Sequence, residues 1–282
     1  MKLLRYGPVG AEKPGLLDSD GAIRDLSDVV PDITGAALTP EGLQKLAALD
    51  VKSLPKVDGN PRLGACVAGV GKFIGIGLNF ADHAAETGNP LPSEPVFFMK
   101  ATSCLCGPYD DVIKPRDSTM LDWEVELGFV IGKKASYVTE AEALDHIAGF
   151  CLVNDVSERE FQTKRPGGQW DKGKGCDTFG PVGPWLVTRD EIGDTGNLPM
   201  WLEVNGRRFQ DGNSNTMVFK PAFLVAYLSR FFTLHPGDLV TTGTPPGVGL
   251  GQKPAPIFLK LGDEMRLGID GLGEQRQKVV AA

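Results

Sequence analysis

The segment Asp122-Trp123-Glu124-Val125-Glu126-Leu127-Gly128-Phe129-Val130-Ile131-Gly132 constrains this chain more than any other. Trp123, Val125, Leu127, Phe129 and Ile131 recur at every second position, the signature of a strand packed on a core. Glu124 and Glu126 then share the opposite face, with α-carbons about 6.5–7 Å apart on an extended backbone. Two like charges so close have two explanations. Either the face is solvated, or a divalent cation between the carboxylates removes their repulsion, as hard cations such as Mg²⁺ prefer carboxylate oxygens.

A third carboxylate bears on that choice. Asp155 follows the apolar run Ile147 to Val153, a common place for a functional loop residue. Its simpler role is to cap a helix starting at Val156. Combined with Glu124 and Glu126 it completes an oxygen donor set for Mg²⁺ or Mn²⁺ that leaves positions for water or substrate.

Around these acids the chain reads as β-rich α+β. A first strand, a hairpin turning at Asp20-Gly21 and a helix capped by Thr39 with Pro40 at its first position suggest a small N-terminal domain over residues 1–63. After the polar linker Lys52–Pro61, the main domain, residues 70–282, opens on the apolar strand Lys72–Asn79. A short helix, Phe80–Glu86, follows, and then a Pro-bearing loop. Thr139 and Glu142 form a capping box, a helix starts near Ser157, and Arg165–Gly175 is a Gly-rich loop. Asn205-Gly206 and Asp270-Gly271 mark hairpins, and Pro221–Phe232 reads as an amphipathic helix. Strands do not alternate with helices, which excludes a Rossmann fold. Gly75-x-Gly77 lacks the third glycine of a dinucleotide fingerprint, and Thr241–Gly249 lacks the lysine of a phosphate-binding loop.

Composition narrows the function. A net charge of −7 without a dense basic block argues against nucleic acid, and no apolar run is long enough to span a membrane, so a small-molecule role in the cytoplasm is expected. Cys66, Cys104, Cys106, Cys151 and Cys176 lack the paired spacing of a zinc site or a disulfide framework. His83 and Glu86 share a helix face at i and i+3, where the carboxylate can orient the imidazole. Lys174, between Gly173 and Gly175, can approach a ligand and stabilise developing negative charge. Arg159 and Gln162, also i and i+3, can hold a substrate carboxylate, and the hydroxyls and amides of Thr241–Gly249, Thr244 among them, can hold an anion. His146 and His235 read as structural or surface residues.

In combination these pieces resemble the fumarylacetoacetate hydrolase family over about residues 70–275. The matching motifs are Gly77-Leu78-Asn79-x-x-x-His83-x-x-Glu86, Asp122-Trp123-Glu124-x-Glu126-Leu127 and Asn154-Asp155-Val156-Ser157-x-Arg159-x-x-Gln162, then Gly173-Lys174-x-x-Asp177-Thr178-Phe179-Gly180 and Thr242-Gly243-Thr244-Pro245-x-Gly247-Val248-Gly249. The stretches Ser157–Gln162, Gly167–Lys174 and Met200–Leu202 look most like members acting on 2,4-diketo-3-deoxy-L-fuconate or L-rhamnonate, although Asp117 and Met120 stand where that subgroup is expected to carry Gly and Lys.

The resemblance implies a mixed β-sandwich roll preceded by a small N-terminal domain, assembled as a homodimer. It further implies hydrolysis of a C–C bond in a 2,4-dioxo acid, yielding pyruvate, and lactate in the sugar-acid case. Glu124, Glu126 and Asp155 would hold Mg²⁺ or Mn²⁺, His83 oriented by Glu86 would activate water, Lys174 would stabilise charge, and Arg159, Gln162 and Thr244 would position the acid group. A decarboxylase, tautomerase or hydratase on the same scaffold is the nearest alternative, and a non-catalytic metal-stabilised binding protein a more distant one.

Overall fold

A computed structural model describes residues 1–82 and 91–282. Most of the apolar periodicity in the sequence is spent on two sheets. The larger has nine strands, in the spatial order Ile23–Asp25, Lys13–Leu17, Lys2–Tyr6, Leu186–Thr188, Ile147–Asn154, Val125–Ile131, Leu239–Thr241, Phe73–Gly77 and Val96–Lys100. The second has five, in the order Arg207–Asn213, Pro199–Val204, Glu264–Ile269, Gly273–Ala281 and Val112–Lys114. Antiparallel pairings dominate, and parallel ones join Leu239–Thr241 to Phe73–Gly77 and Gly273–Ala281 to Val112–Lys114. The fold is thus β-rich α+β, as the sequence suggests.

The N-terminal segment extends the main sheet, because Lys2 and Leu3 pair with Val187 and Leu186. Its hairpin turns at Asp20-Gly21, pairing Leu17 with Ile23, and the Thr39 hydroxyl accepts the Gly42 N–H at 3.1 Å to start the helix Pro40–Ala47. Among the described residues no helix is long and apolar enough to cross a membrane.

Several local expectations shift. The acidic segment is broken into Leu121–Asp122, which pairs with Ser157–Glu158, and Val125–Ile131. Glu124 sits in the break. Every residue of Val125–Ile131 is buried, on both faces, because the strand lies inside the large sheet and the five-stranded sheet packs against it. Period-2 alternation therefore marks which side faces which layer; it does not mark water. Pro221–Leu228 is likewise apolar on nearly all sides, with Pro221, Leu224, Val225, Tyr227 and Leu228 buried, so it is a core helix and not an amphipathic one.

The interval between the sheets contains amides as well as hydrocarbon. Gln275 Nε2 donates to the carbonyls of Leu152 and Gly183 at 2.8 and 2.9 Å, Gln277 Nε2 to Pro108 O at 2.7 Å, and Asn154 Nδ2 to Gln277 Oε1 at 3.1 Å. Buried amides held this way fix one sheet against the other, since slippage would leave them unpaired at about 1–3 kcal/mol each.

Phe129, fully buried on the acidic strand and against Phe150 with ring centroids 6.4 Å apart, is a core anchor. Phe129→Ala should cost about 3–5 kcal/mol in urea-induced unfolding. A loss below about 1 kcal/mol, the scale of an ordinary surface change, would contradict the burial of this strand.

Candidate metal centre and ligand cavity

Two backbone contacts bring the acids together. Asn154 faces Val125 at the end of the ladder, and one step further Asp155 N–H donates to Glu124 O at 2.9 Å. Glu124 N–H donates in turn to Asn154 Oδ1 at 3.2 Å. On the side away from Asn154 no described strand pairs with Val125, so side chains take that place: Val125 N–H donates to Gln210 Oε1 and Thr244 Oγ1 donates to Val125 O, both at 2.9 Å. Glu124, Glu126 and Asp155 are all buried, and each offers a carboxylate oxygen within 4.8 Å of the others. The solvated-face explanation for Glu124 and Glu126 is therefore wrong.

Nor does Asp155 cap a helix. Ser157–Glu158 is extended, the helix is Arg159–Thr163, and Glu158 Oε1 accepts the Glu160 N–H at 3.1 Å as its cap. The Asp155 carboxylate instead meets two buried ammonium groups, Lys100 Nζ at 2.5 Å and Lys174 Nζ at 2.6 Å. Lys174 also reaches Glu124 Oε2 at 2.7 Å, while Arg159 holds Glu124 Oε1 at 2.7 Å and Asp122 Oδ2 at 2.8 Å. Lys174 is the last residue of the helical turn Asp171–Lys174, only 2% exposed, and so is more rigidly placed than the Gly-rich sequence suggested.

Electrostatics separates the two glutamates. Burial works against the charged form of Glu124, but Arg159 and Lys174 outweigh it and hold the carboxyl down at about 2. Among the described residues Glu126 has no such cation in contact. Burial, then the charges of Asp155 and Glu124, push its carboxyl well above the ordinary range. Lys174 loses by burial but gains more from Asp155 and Glu124, so its ammonium is stabilised. Among the described residues the backbone anchor of Glu126 is the Gly243 N–H, 2.9 Å from Oε2. Gly243 has φ +90°, a conformation that side chains other than glycine rarely adopt, and a Cβ there would press on Asn79 Cβ at 3.1 Å. The anion held by this turn is thus the protein's own Glu126.

A cavity of about 220 Å³ opens on the acids. Glu124, Glu126, Arg159, Gln162 and Lys174 line it together with Ile76, Leu78, Phe98, Trp170, Val248 and Leu250. Four roomier clefts lie elsewhere, the largest two along Asp20–Leu63 and beside Met1, and none of the four is lined by the carboxylate cluster. All three donors of the cluster are hard carboxylate oxygens, and one of them is destabilised as an anion by its neighbours. That set fits a Mg²⁺- or Mn²⁺-type ion.

The positions expected from sequence are partly brought together. Lys174, Arg159 and Gln162 line the cavity, the last accepting Arg159 Nη1–H at 3.1 Å. Thr244 lines it too, but its hydroxyl proton goes to Val125 O and its oxygen accepts Gln210 Nε2–H at 2.8 Å, so it clamps the acidic strand and has no hydroxyl proton to offer a ligand. His83 and Glu86 lie outside the described residues. His146 is buried with Nδ1 3.1 Å from Lys133 O, and His235 is exposed. Asp117 has φ +63°, the conformation glycine favours at the position where the subgroup is expected to carry one. Sequence reasoning missed Lys100, Asp122 and Gln210. Lys100 was detectable, since it follows Phe98 at period 2 on the inward side of an apolar strand.

Comparison with known proteins agrees with this geometry. A curated relative from Burkholderia multivorans (strain ATCC 17616 / 249), which carries a generic hydrolase name, is 64% identical over 282 residues and covers 100% of both chains. The structure of fumarylacetoacetate hydrolase from psychrophilic Exiguobacterium antarcticum matches at 32% identity and TM-score 0.89, covering 100% of both chains. That of maleylpyruvate hydrolase from Sphingobium sp. SYK-6, in complex with manganese (II) ion and pyruvate, matches at 29% identity and TM-score 0.82, again over 100% of both. The family model described as fumarylacetoacetate (FAA) hydrolase C-terminal matches residues 72–280, and the chain belongs to the fumarylacetoacetate hydrolase family.

Proposed function

We propose that this protein hydrolyses a C–C bond of a 2,4-dioxo acid with a divalent metal, releasing pyruvate. Its substrate in this reading is an acylpyruvate such as 2,4-diketo-3-deoxy-L-fuconate or L-rhamnonate, which would yield pyruvate and lactate. The observation that carries it is the convergence of Glu124, Glu126 and Asp155 beside a cavity lined by the two glutamates, Lys174, Arg159 and Gln162. Support comes from the related maleylpyruvate hydrolase, whose structure contains manganese (II) and pyruvate.

Glu124, Glu126 and Asp155 would hold Mg²⁺ or Mn²⁺. When bound, the ion supplies Lewis-acid polarisation of the 2-oxo group and a counter-charge for the leaving fragment. The chain's own groups do the rest. Gln162 Nε2–H donates to no described residue and can receive the substrate carboxylate, while Arg159, spent on Asp122, Glu124 and Gln162, holds that amide in place. In this reading His83, with Glu86 to orient it, would take a proton from water as the water oxygen adds to the C4 carbonyl. The C3–C4 bond then breaks, its electron pair passes into the pyruvate fragment, and a proton returned to C3 completes pyruvate. Negative charge develops beside Lys174, which has three N–H groups and gives two of them to Glu124 and Asp155.

Three outcomes test this reading. In an acylpyruvate panel with Mg²⁺ or Mn²⁺, pyruvate should be released from at least one member. Turnover of oxaloacetate with CO₂ release and of no acylpyruvate would contradict it. His83→Ala should lower turnover by about 10²–10⁴-fold, the usual worth of a general base, while calorimetry shows pyruvate still binding. Full turnover in that variant would remove His83 from the mechanism. Finally, Glu126→Ala should weaken Mn²⁺ binding in calorimetric titration, whereas Lys174→Met should keep or tighten it, because Lys174 competes for the Glu124 and Asp155 oxygens. Unchanged affinity in Glu126→Ala would refute the ligand set.

A further inference from the structure

Three threonines lie beside the acidic strand at Thr241–Thr244, and their hydroxyls are not equivalent. Thr242 Oγ1 donates to Leu127 O and Thr244 Oγ1 to Val125 O, both at 2.9 Å. Thr241 is fully buried as well, yet its Oγ1 has no hydrogen-bond partner. Among the described residues one other buried side-chain polar atom is left so, Trp185 Nε1, and Trp185 does not line the cavity at the acids. A hydroxyl taken from water without a partner opposes folding, and valine would fill nearly the same space without that cost.

Register decides which group that hydroxyl can serve. Thr241 pairs with Gly128 on the acidic strand. Paired side chains of an antiparallel ladder share a face, and so do alternate residues of one strand, which puts Thr241 on the face of Glu126, Gly128 and Val130. Gly128 offers no side chain and has no room for one, because a Cβ there would stand 2.7 Å from Val153 Cγ2 and 3.1 Å from Cys151 Sγ. The diagonal neighbours on that strand are Glu126 and Val130, and of the two only Glu126 is polar. Its carboxyl leans toward the Thr241 strand, since Oε2 accepts the N–H of Gly243, two residues beyond Thr241, at 2.9 Å. Burial and the charges of Asp155 and Glu124 disfavour the ionised Glu126, and the Thr241 hydroxyl is among the groups that favour it, although the two stop short of hydrogen-bond geometry.

Resting on the metal assignment made above, we propose that Thr241 is a positioning residue for the ion: as the Glu126 carboxylate turns to ligate the metal, the Thr241 hydroxyl donates to it and fixes the direction of its oxygens. The Gly243 N–H and the Thr241 hydroxyl then hold the carboxylate from one neighbouring strand. Partners of this kind, which touch a ligand and not the metal, typically account for about 10–100-fold in metal affinity.

The test reads metal binding apart from turnover. Mn²⁺ dissociation constants are measured by calorimetry for the wild-type chain, Thr241→Val and Thr241→Ser, alongside urea unfolding of each without added metal. Thr241→Val, which keeps the shape and removes the hydroxyl, should weaken Mn²⁺ binding about 10–100-fold. Its urea midpoint should stay the same or rise, because the hydroxyl it removes has no partner. Thr241→Ser, which keeps the hydroxyl, should recover most of the affinity. Affinity unchanged in Thr241→Val, or lost equally in Thr241→Ser, overturns the inference. So does an affinity loss in Thr241→Val that is accompanied by a lowered urea midpoint, the mark of a packing role. If the wild-type chain itself binds no Mn²⁺, the ligand set fails first, and the inference falls with it.

Discussion

Burying three carboxylates side by side is the constraint on which the rest of the molecule depends. Glu124, Glu126 and Asp155 lie in the interior with oxygens within 4.8 Å of one another, an arrangement that would be costly without opposite charge. Removing one partner of a buried ion pair typically costs about 3–5 kcal/mol. The fold supplies Lys100, Lys174 and Arg159, each itself buried, from the edge strand Val96–Lys100, the turn Asp171–Lys174 and the helix Arg159–Thr163. Segments distant in sequence are thereby tied to one point.

The compensation is uneven. Glu124 is held ionised by two cations in contact, while Glu126 contacts no cation among the described residues, and burial and the charges of Asp155 and Glu124 outweigh the help it receives from Lys174 and Thr241. A site that pairs a well-stabilised carboxylate with a poorly stabilised one has an unmet demand for positive charge. The surrounding clamps, Gln210 and Thr244 on the Val125 backbone and Asn154 on Glu124, keep the oxygens from moving apart to relieve that demand. Rigid second-layer contacts of this kind are what hold a donor set near a productive geometry.

How much of this was legible in the sequence follows from what each signal encodes. Glu-x-Glu spacing within an apolar strand placed two acids on one side of a backbone, and Asp155 at the end of another strand supplied the third, because strand periodicity is local. Burial of the second face of Val125–Ile131 was not legible, since it is created by sheet order and by the packing of a second sheet. For the same reason Thr244 looked like a ligand group and proved to be a clamp, and the contact of Lys100 with Asp155 spans 55 positions. Long-range partners leave little trace in a local pattern. Local punctuation did better: the Asp20-Gly21 turn and the Thr39 cap act over a few residues, and both occur as expected.

The central claim is that the acid cluster binds one divalent ion and that this ion meets a 2-oxo acid in the adjoining cavity. Electron paramagnetic resonance of Mn²⁺ added to the protein, with and without pyruvate, tests it most directly. The account predicts saturable binding of one Mn²⁺ per chain and a spectrum that changes when pyruvate is added. Mn²⁺ that fails to bind stoichiometrically, or a bound-ion spectrum that pyruvate leaves unaltered, would contradict it.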